Sequence, residues 1–273
     1  LYNNITYVYD CRPGLHIGRN RGLELSRGEI IVYIDDDIIA FPSWLETIGD
    51  VFEDKPYIGV VGGNNYPNYE ISPPEWLEEL WIPTAEGKYM GSLSLLDFGD
   101  EEKIISSDYI FGCNFSIRKK LLREVRGFNP DGFPKKYQIY RGDGETAVGR
   151  KIYSLGYQAY FHPKASVYHY VSKNRLSIEY LKNRSYSQGI SESYTTIREN
   201  GEILSSDVFS AKSKLLNKYK IFPSDNKLAK VLYNSYALGY YVHHLSTFKD
   251  EKLLKWILRE NYLEDNLELP DWK

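Results

Sequence analysis

Short apolar runs alternate with amphipathic stretches over the first two-thirds of the chain. The apolar runs are rich in β-branched and aromatic residues, which predicts strands at residues 5–9, 30–34, 58–61, 108–117, 159–161 and 166–169. Helices are predicted between them, at residues 17–26, 43–52, 118–125 and 141–155. This alternation of strand and helix favours a doubly wound α/β arrangement.

The pattern changes at about residue 176. Residues 176–198, 227–245 and 252–262 show apolar positions at helical spacing, with charged residues between them. We therefore divide the chain into an α/β domain, residues 1–175, and a C-terminal helical extension, residues 176–273. The extension is expected to pack within the chain; docking to a partner, or to a membrane surface through Trp256 and nearby lysines, stays open.

Regular patterning fades between residues 66 and 107, where Trp76 and Trp81 lie on one side of a short predicted helix. A long irregular segment inside a compact domain is usually functional. Two interpretations stand, a lid over a substrate and a segment packed on the edge of the sheet.

The composition of the chain excludes only a few classes of function. The chain has 273 residues, 42% hydrophobic and 26% charged, with a net charge of −3 that gives no reason to expect nucleic acid. Its two cysteines do not indicate a disulfide framework, and a reducing compartment is the default expectation. No apolar run reaches the length of a membrane span, and no signal peptide is visible.

Three aspartates, Asp35, Asp36 and Asp37, follow the predicted strand at residues 30–34 directly. We expect that strand to be buried on both faces, as in a parallel sheet. Ligands of open α/β sheets bind at the carboxyl ends of the strands, and adjacent carboxylates favour a hard divalent cation there. An acidic turn without a ligand is the plain alternative.

Other chemistry-bearing residues lie at element ends. Arg19 and Asn20 fall in the first turn of a predicted helix, where free N–H groups attract phosphate. Gly112 and Asn114 lie within the predicted strand at residues 108–117, and glycine there suggests close approach of a ligand or of another backbone. Asp143 and Glu145 open a predicted helix, a position that is also typical of purely structural acidic residues.

Four segments in this order resemble family 2 of the GT-A glycosyltransferases, which are mostly inverting and include enzymes of bacterial polysaccharide biosynthesis. Residues 13–22 resemble the family's Pro-Gly and Arg-Asn-x-Gly segment, and residues 33–37 its Asp-x-Asp metal motif. Residues 112–118 with 127–129 resemble its acceptor-side segment. Residues 142–145, with Arg150, Gly156, Pro163 and His169, resemble its catalytic-base helix and closing strand. The match spans about residues 1–198.

The resemblance implies a GT-A fold, a Rossmann-like mixed sheet flanked by helices, and a role for each matching residue. Asp37 and Asp35 would hold Mn²⁺ or Mg²⁺, and His169 would add a third ligand or contact the pyrophosphate. The remaining roles are donor binding by Arg19, Asn20, Asp35, Asp36 and Arg175, acceptor contact by Gly112, Asn114, Trp76 and Trp81, and general base catalysis by Asp143 or Glu145.

The implied activity is metal-dependent transfer of a sugar, with inversion, from a nucleoside diphosphate-sugar to a hydroxyl of a glycan or lipid-linked glycan. The donor's location places the chain in the cytoplasm, with peripheral contact to the inner face of the membrane left open. Two rival functions remain, a sugar nucleotidyltransferase and an inactive carbohydrate-binding or scaffold domain of a polysaccharide assembly complex.

The chain departs from the family pattern in two ways. The family's opening strand and later Asp-rich turn, which hold much of the nucleobase, are not found, so we expect the N-terminal strands to be missing. The base segment usually reads Glu-Asp, whereas here it reads Asp143-Gly144-Glu145, which leaves both carboxylates as candidates.

Overall fold

The computed structural model describes residues 5–216 and 226–263. The helices are α1 (Leu15–Leu25), α2 (Trp44–Asp54), α3 (Lys119–Glu124), α4 (Gly144–Ser154), α5 (Ile178–Asn200), α6 (Ser205–Leu216), α7 (Lys227–Lys249) and α8 (Glu251–Leu258). The strands are β1 (Ile30–Ile34), β2 (Ile38–Ala40), β3 (Ile58–Gly62), β4 (Asn65–Tyr69), β5 (Ile82–Pro83), β6 (Lys88–Met90), β7 (Leu95–Asp97), β8 (Lys103–Ile105), β9 (Asn114–Arg118), β10 (Gln158–Phe161) and β11 (Val167–Val171). Short 3₁₀ helices lie at Glu75–Leu80, Gly91–Leu93, Ser107–Tyr109, Lys135–Tyr140, Pro163–Ala165 and Lys173–Leu176.

The strands form two mixed sheets. One has the order β1-β9-β3-β10-β8 and the other the order β2-β11-β4-β7-β6-β5. Parallel pairing joins β3 to β10 and β4 to β11, and the other neighbours are antiparallel. Because β1, β3 and β10 each lead within a few residues into β2, β4 and β11, the second sheet begins where strands of the first one end.

Helices cover both faces of the first sheet. On β3, Val60 packs into a core that includes α3 and α4, and the next residue, Val61, packs into a core that includes α2. This alternation is what a strand between two helical layers requires. The predicted fold class, a mixed α/β layer flanked by helices with further helices at the C-terminus, is confirmed.

The C-terminal helices pack against one another and onto the α/β layer. Helices α5 and α7 approach so closely that a Cβ added at Gly189 would lie 2.0 Å from the carbonyl oxygen of Tyr236. Trp256 of α8 packs with Tyr140 and Tyr194 in a third core, and its indole N–H donates to the Tyr140 carbonyl at 3.0 Å. The side chain offered above as a membrane contact is therefore buried inside the molecule.

Four local predictions are wrong. Residues 5–9 form no strand in the described structure, since no described strand pairs with them and Ile5, Tyr7 and Tyr9 are exposed. Strand β1 lies at the edge of its sheet, antiparallel to β9, and only one of its faces is fully buried: Ile31 and Tyr33 are buried, whereas Ile30 and Val32 are partly buried against the α2 core and Ile34 is 52% exposed. The segment 66–107 is not irregular but contributes short strands to the second sheet.

The fourth concerns residues 108–117, where the strand begins only at Asn114. Gly112 therefore precedes the strand, and its backbone groups bond to side chains instead of to a neighbouring strand. The sequence also missed α6. Parts of the predicted extension, residues 217–225 and 264–273, and residues 1–4 of the motif match lie outside the described residues. Among the described helices, none combines the length and the apolar character needed to cross a bilayer.

Candidate active site

A cavity of about 720 Å³ lies where β1 ends and where α1, α4 and α5 meet. The sequence-predicted residues that line it come from separate parts of the chain, namely Arg19, Asp35, Gly112, Asp143, Glu145, His169 and Arg175. The fold thus brings Asp35, Arg19 and the base segment to one place, with Asp35 at the carboxyl end of β1 as predicted. Arg19 lies in the second turn of α1 and not in the first turn as predicted, because the helix begins at Leu15.

Arg19 is the residue that ties these segments together. It is 7% exposed, and its guanidinium donates to Asp35 Oδ1 at 3.0 Å and to the Gly112 carbonyl at 2.8 Å. A Cβ at Gly112 would lie 2.4 Å from Arg19 Nη1 and 2.9 Å from Glu145 Oε1. Glycine at this position therefore leaves room for the charged side chains of Arg19 and Glu145. The sequence suggests a close approach here, and the groups that approach in the structure are these protein side chains.

Both carboxylate oxygens of Glu145 have nitrogen donors beside them. Its Oε1 accepts from the Gly112 N–H at 3.2 Å, and its Oε2 lies 2.8 Å from His16 Nε2 and 3.8 Å from Arg19 Nη1. Burial by itself raises the pKa of Glu145, but the hydrogen bond with His16 and the charges of His16 and Arg19 outweigh it and hold that pKa well below the usual range. The carboxylate stays ionised and is a weak proton acceptor.

Asp143 has neutral partners instead. Its Oδ1 accepts from Asn129 Nδ2 at 2.7 Å, and its Oδ2 accepts from Thr195 Oγ1 at 2.9 Å. The single hydroxyl proton of Thr195 has a second acceptor, the Ser191 carbonyl at 3.1 Å. A rotation of this hydroxyl would therefore free one oxygen of Asp143 without leaving the hydroxyl unbonded.

Asp37, His169 and Arg175 form a second group at the end of the aspartate run. Asp37 Oδ2 lies 3.1 Å from Arg175 Nη2, and Asp37 Oδ1 lies 3.5 Å from His169 Nε2. Asp37 Oδ1 is buried and has no hydrogen-bond partner. Burial lowers the pKa of His169 even though the Asp37 carboxylate opposes that shift, so the imidazole is neutral.

These residues fit a divalent cation. The unpartnered Asp37 oxygen and the neutral His169 Nε2 face each other, and both are ligands that Mn²⁺ accepts. Arg175 Nη1 lies 3.2 Å from the same Nε2, and a bound cation would take its place there. A second cluster, His16, Asp131 and Glu145, also brings its ligating atoms within 4.8 Å of one another. Asp37 and the carboxylates of this cluster all lie beside guanidiniums, but both oxygens of Asp131 and of Glu145 already have hydrogen-bond donors, whereas one oxygen of Asp37 has none, so the second cluster is the poorer cation site.

Sequence comparison relates the N-terminal part of this arrangement to a family. Residues 1–126, which include Arg19, the aspartate run and Gly112, match the sequence model described as "Glycosyl transferase family 2". These residues belong to glycosyl transferase family 2. The resemblance drawn from the motifs is thereby confirmed over the part of the chain that carries the donor-side segments.

A curated relative extends the match toward the base segment. The glucosyl-dolichyl phosphate glucuronosyltransferase of Haloferax volcanii is 27% identical over 191 residues, which cover 69% of this chain. The aligned region is 58% of that protein, so the chain spans less than two-thirds of the relative's length.

Solved structures of glycosyltransferases are more distant. The mannosyltransferase PcManGT from Pyrobaculum calidifontis, in complex with GDP-Man and Mn²⁺, is 17% identical, with coverage of 90% of this chain and 66% of its own and a TM-score of 0.43. GalNAc-T7 with UDP, GalNAc and Mn²⁺ is 13% identical, with coverage of 89% and 44% and a TM-score of 0.45. Both likenesses are too remote to assign chemistry to individual residues of this family 2 sequence.

Several predicted site residues lie away from the cavity. Asn20 is 4% exposed, and its side chain bonds to both the N–H and the carbonyl of Phe128. Asn114 is 1% exposed and bonds to Trp44, Asn65 and the Ala165 carbonyl. Both asparagines hold backbone segments behind the site, and their ligand-binding roles stay predictions.

Asp36 is exposed beside the aspartates that face the site, and its donor-binding role stays a prediction. Trp76 and Trp81 pack against a core formed by Leu77 and its neighbours, and Lys88 Nζ lies 4.7 Å from the centre of the Trp81 ring. They do not line the cavity that contains the predicted base, and their acceptor-side role stays a prediction as well.

Sequence reasoning assigned no role of their own to three features of the cavity. His16 lies within residues 13–22 and is the direct partner of Glu145. Arg141 lies at the start of the helix predicted at residues 141–155, and helix α5 carries no motif. For α5 the available signal is the spacing of its polar residues, which can be interpreted only when the helix is known to face the cavity.

Proposed function

We propose that this chain is the catalytic part of an inverting, divalent-cation-dependent glycosyltransferase. It transfers a sugar from a nucleoside diphosphate-sugar to a hydroxyl of a glycan or lipid-linked glycan. The observation that supports this proposal best is one cavity lined both by Arg19, Asp35, His169 and Arg175, the last two in contact with Asp37, and by the carboxylates Asp143 and Glu145.

The donor side follows from charge. Asp37 and His169 would hold Mn²⁺ or Mg²⁺, which would neutralise charge on the leaving nucleoside diphosphate. Arg19 and Arg175 already lie beside carboxylates of the aspartate run, 3.0 Å from Asp35 and 3.1 Å from Asp37. Guanidiniums in that position would pair with phosphate oxygens when the carboxylates take a cation.

Of the two carboxylates, we assign the base to Asp143. Glu145 is fixed by His16, Arg19 and the Gly112 N–H, and its lowered pKa makes it a poor acceptor of a hydroxyl proton. Asp143 is held only by neutral donors, one of which can turn away. Asp143 would take the proton of the acceptor hydroxyl as that oxygen attacks the anomeric carbon, and Glu145 would position Arg19 and the Gly112 backbone.

A donor screen tests the proposal. We would measure release of nucleoside diphosphate from UDP-, GDP- and dTDP-sugars with Mn²⁺, and again with EDTA. The proposal predicts release from one class of donor, lost in EDTA and in the Asp143→Asn variant. An unchanged rate in that variant would remove Asp143 from the role of base.

The same screen separates the rivals. Formation of a sugar nucleotide from a nucleoside triphosphate and a sugar phosphate would indicate a nucleotidyltransferase. Sugar binding with no turnover of any donor would indicate a binding or scaffold domain.

A further inference from the structure

One face of helix α5 forms a wall of the cavity. Tyr180, Arg184, Gln188, Ser191 and Thr195 all line it, and they recur at intervals of three and four residues. Residues at this spacing share one side of an α-helix. The stripe is polar throughout, although the helix buries apolar residues such as Leu181, Ile190 and Ile197 on its other side.

Two guanidiniums meet at this wall. Arg141 is 12% exposed and donates to Ser191 Oγ at 2.8 Å and to Asp131 Oδ2 at 3.1 Å. Arg184 is close enough that its charge, together with burial, lowers the pKa of Arg141, although Asp131 acts in the opposite direction. The Nε of Arg184 is buried and has no hydrogen-bond partner, and Arg184 makes no ion pair in the described part of the chain.

The carboxylates nearby do not balance this charge. Asp131 already pairs with Arg141, and Glu145, whose charge also acts on Arg141, is bonded to His16 and lies beside Arg19. Glu192, which also borders the cavity, is exposed and forms no ion pair with either arginine in residues 5–216 and 226–263. A buried donor without an acceptor is costly, so an unpartnered arginine in a cavity wall indicates a ligand that supplies the acceptor.

The pair lies along α5 between the candidate base and the end of the helix nearest Arg175. Ser191, which Arg141 contacts, lies one helical turn before Thr195, which contacts Asp143. Arg184 lies about two further turns back, toward Arg175, which precedes the helix. An anion bound by both arginines would therefore lie within about three helical turns of the candidate base, and an Arg175→Gln variant distinguishes it from a donor phosphate.

We propose that Arg184 and Arg141 form a subsite for an anionic group, a carboxylate or a phosphate, carried by the acceptor. The identification of the bound molecule as the acceptor rests on the proposed glycosyl transfer, whereas the anion subsite itself is argued from the residues of the α5 wall. The stripe residues Tyr180 and Gln188 would offer further hydrogen bonds to the same part of the acceptor.

The test is a calorimetric titration of the whole chain at constant ionic strength, in EDTA, with glucuronate, glucose 6-phosphate and neutral methyl glucoside as probes. We expect one anionic probe to bind and the neutral sugar to bind at least about tenfold more weakly. The Arg184→Gln variant should lose about tenfold or more in affinity for that probe, as expected for one hydrogen bond to a charged group.

Two matched variants locate the binding. Lys182→Gln removes a charge from the same helix at an exposed side chain that pairs with Glu179, and Arg175→Gln removes one from the Asp37 side. Both should keep the anionic probe's affinity. Binding of glucuronate alone would identify a carboxylate, and binding of the phosphate alone a phosphorylated acceptor.

The inference is overturned if neither anion binds, if the neutral sugar binds equally well, or if Lys182→Gln or Arg175→Gln weakens binding as much as Arg184→Gln does. A separate titration with nucleoside diphosphate and Mn²⁺ keeps the two proposals distinct. Donor binding without an anion subsite contradicts only this inference, and an Arg184-dependent subsite without donor binding contradicts only the proposed function.

Discussion

The sheet half of the molecule, residues 5–175, and the helical half that follows it border the same cavity with different chemistry. The sheet half contributes charges that are already paired, such as Arg19 with Asp35 and Arg175 with Asp37. The α5 wall contributes hydroxyls, an amide and the unpaired Arg184. Paired charges at strand ends suit a charged donor, because the donor's own charges can replace one partner of each ion pair. The polar α5 wall suits recognition of the proposed acceptor.

The halves also differ in how they pack. The sheet half closes around large side chains such as Phe115, Phe128 and Phe161. Between α5 and α7, small residues let two helix backbones approach, and Ser193 Oγ bonds to His243 Nδ1 at 2.6 Å and to His244 Nδ1 at 2.5 Å. The α5 wall is thus supported by a contact that tolerates little change in side-chain size.

The largest effect is expected at Asp143. Replacing it with Asn should lower kcat by roughly 10²–10⁴-fold, because proton acceptance is lost while the shape of the side chain is kept. Steady-state kinetics with the donor found in the screen measures this. Asp54→Asn, an exposed residue at the end of α2, is the control and should leave kcat unchanged. Equal loss in both variants would mean that the effect is not specific to the cavity.

The next effect concerns the support of the α5 wall. Gly189→Ala should destabilise the fold by about 1–3 kcal/mol, because the new Cβ would lie 2.0 Å from the Tyr236 carbonyl oxygen. Gly49→Ala in α2, where a Cβ meets nothing within 4 Å, should stabilise it by about 0.5–1 kcal/mol. Thermal unfolding measures both. A neutral result at Gly189 would mean that α5 and α7 can separate at little cost.

A third prediction tests whether Glu145 is a positioning residue. Glu145→Gln should cost about 1–3 kcal/mol of unfolding free energy at pH 7, since His16 and Arg19 lose their carboxylate partner. The folded-state pKa of Glu145 lies below its ordinary value of 4.5. The extra unfolding free energy of the wild type over Glu145→Gln is therefore fully present above pH 4.5 and shrinks as the pH falls toward the lowered pKa.

Urea unfolding at pH 7 and at successively lower pH values measures that difference. The control is Glu124→Gln at the exposed end of α3, which should change stability little at any pH. A gap between wild type and Glu145→Gln that does not narrow in acid would contradict the ion pairing described here.

The smallest effect is expected at His243, which is buried between α5 and α7. Burial and the charge of His244 lower the pKa of His243 to about 3. The unfolded chain therefore takes up a proton below pH 6.5 and the folded chain does not, so stability falls as the pH drops through 6.5. Between pH 6.5 and 5.5 this group should cost about 1 kcal/mol.

Replacing His243 with Gln should flatten the stability profile over that pH range. His162→Gln, at a partly exposed histidine of the sheet half, should flatten it less. Denaturant unfolding at half-unit pH steps gives both slopes. Identical profiles for wild type and His243→Gln would mean that the imidazole is solvated in the folded state.

The sequence predicted the elements that place the donor side, because strand ends and helix starts carry local signals. Asp35, Arg19, His169 and Asp143 were all predicted at such ends, and the fold brings them to one cavity, although His169 lies inside β11 and Arg19 in the second turn of α1. The pairing of β1 was missed because a five-residue apolar run looks the same whether one face or both are buried. The short strands between residues 82 and 105 were missed because they carry too few residues for any period to show.

Contacts between residues that are distant in the chain could not be predicted from the sequence either. His16 and Glu145 lie 129 residues apart, and only the tertiary fold puts Nε2 of one beside Oε2 of the other. Asn20 and Asn114 show the opposite error, since motif position suggested ligand contacts while buried backbone groups use their side chains. A polar residue in a motif does not reveal whether its partner is a ligand or the protein.

The most direct test of the central claim is calorimetric titration of the chain with UDP, GDP, dTDP and CMP, each with Mn²⁺ and with EDTA, beside Asp37→Asn. The account predicts that one nucleotide binds in Mn²⁺, that EDTA abolishes the binding, and that Asp37→Asn weakens it because the negative charge of the carboxylate near His169 is lost and one of its oxygens becomes an amide NH₂ group. Equal binding by wild type and Asp37→Asn, or binding that EDTA leaves intact, would contradict a cation held by Asp37 and His169.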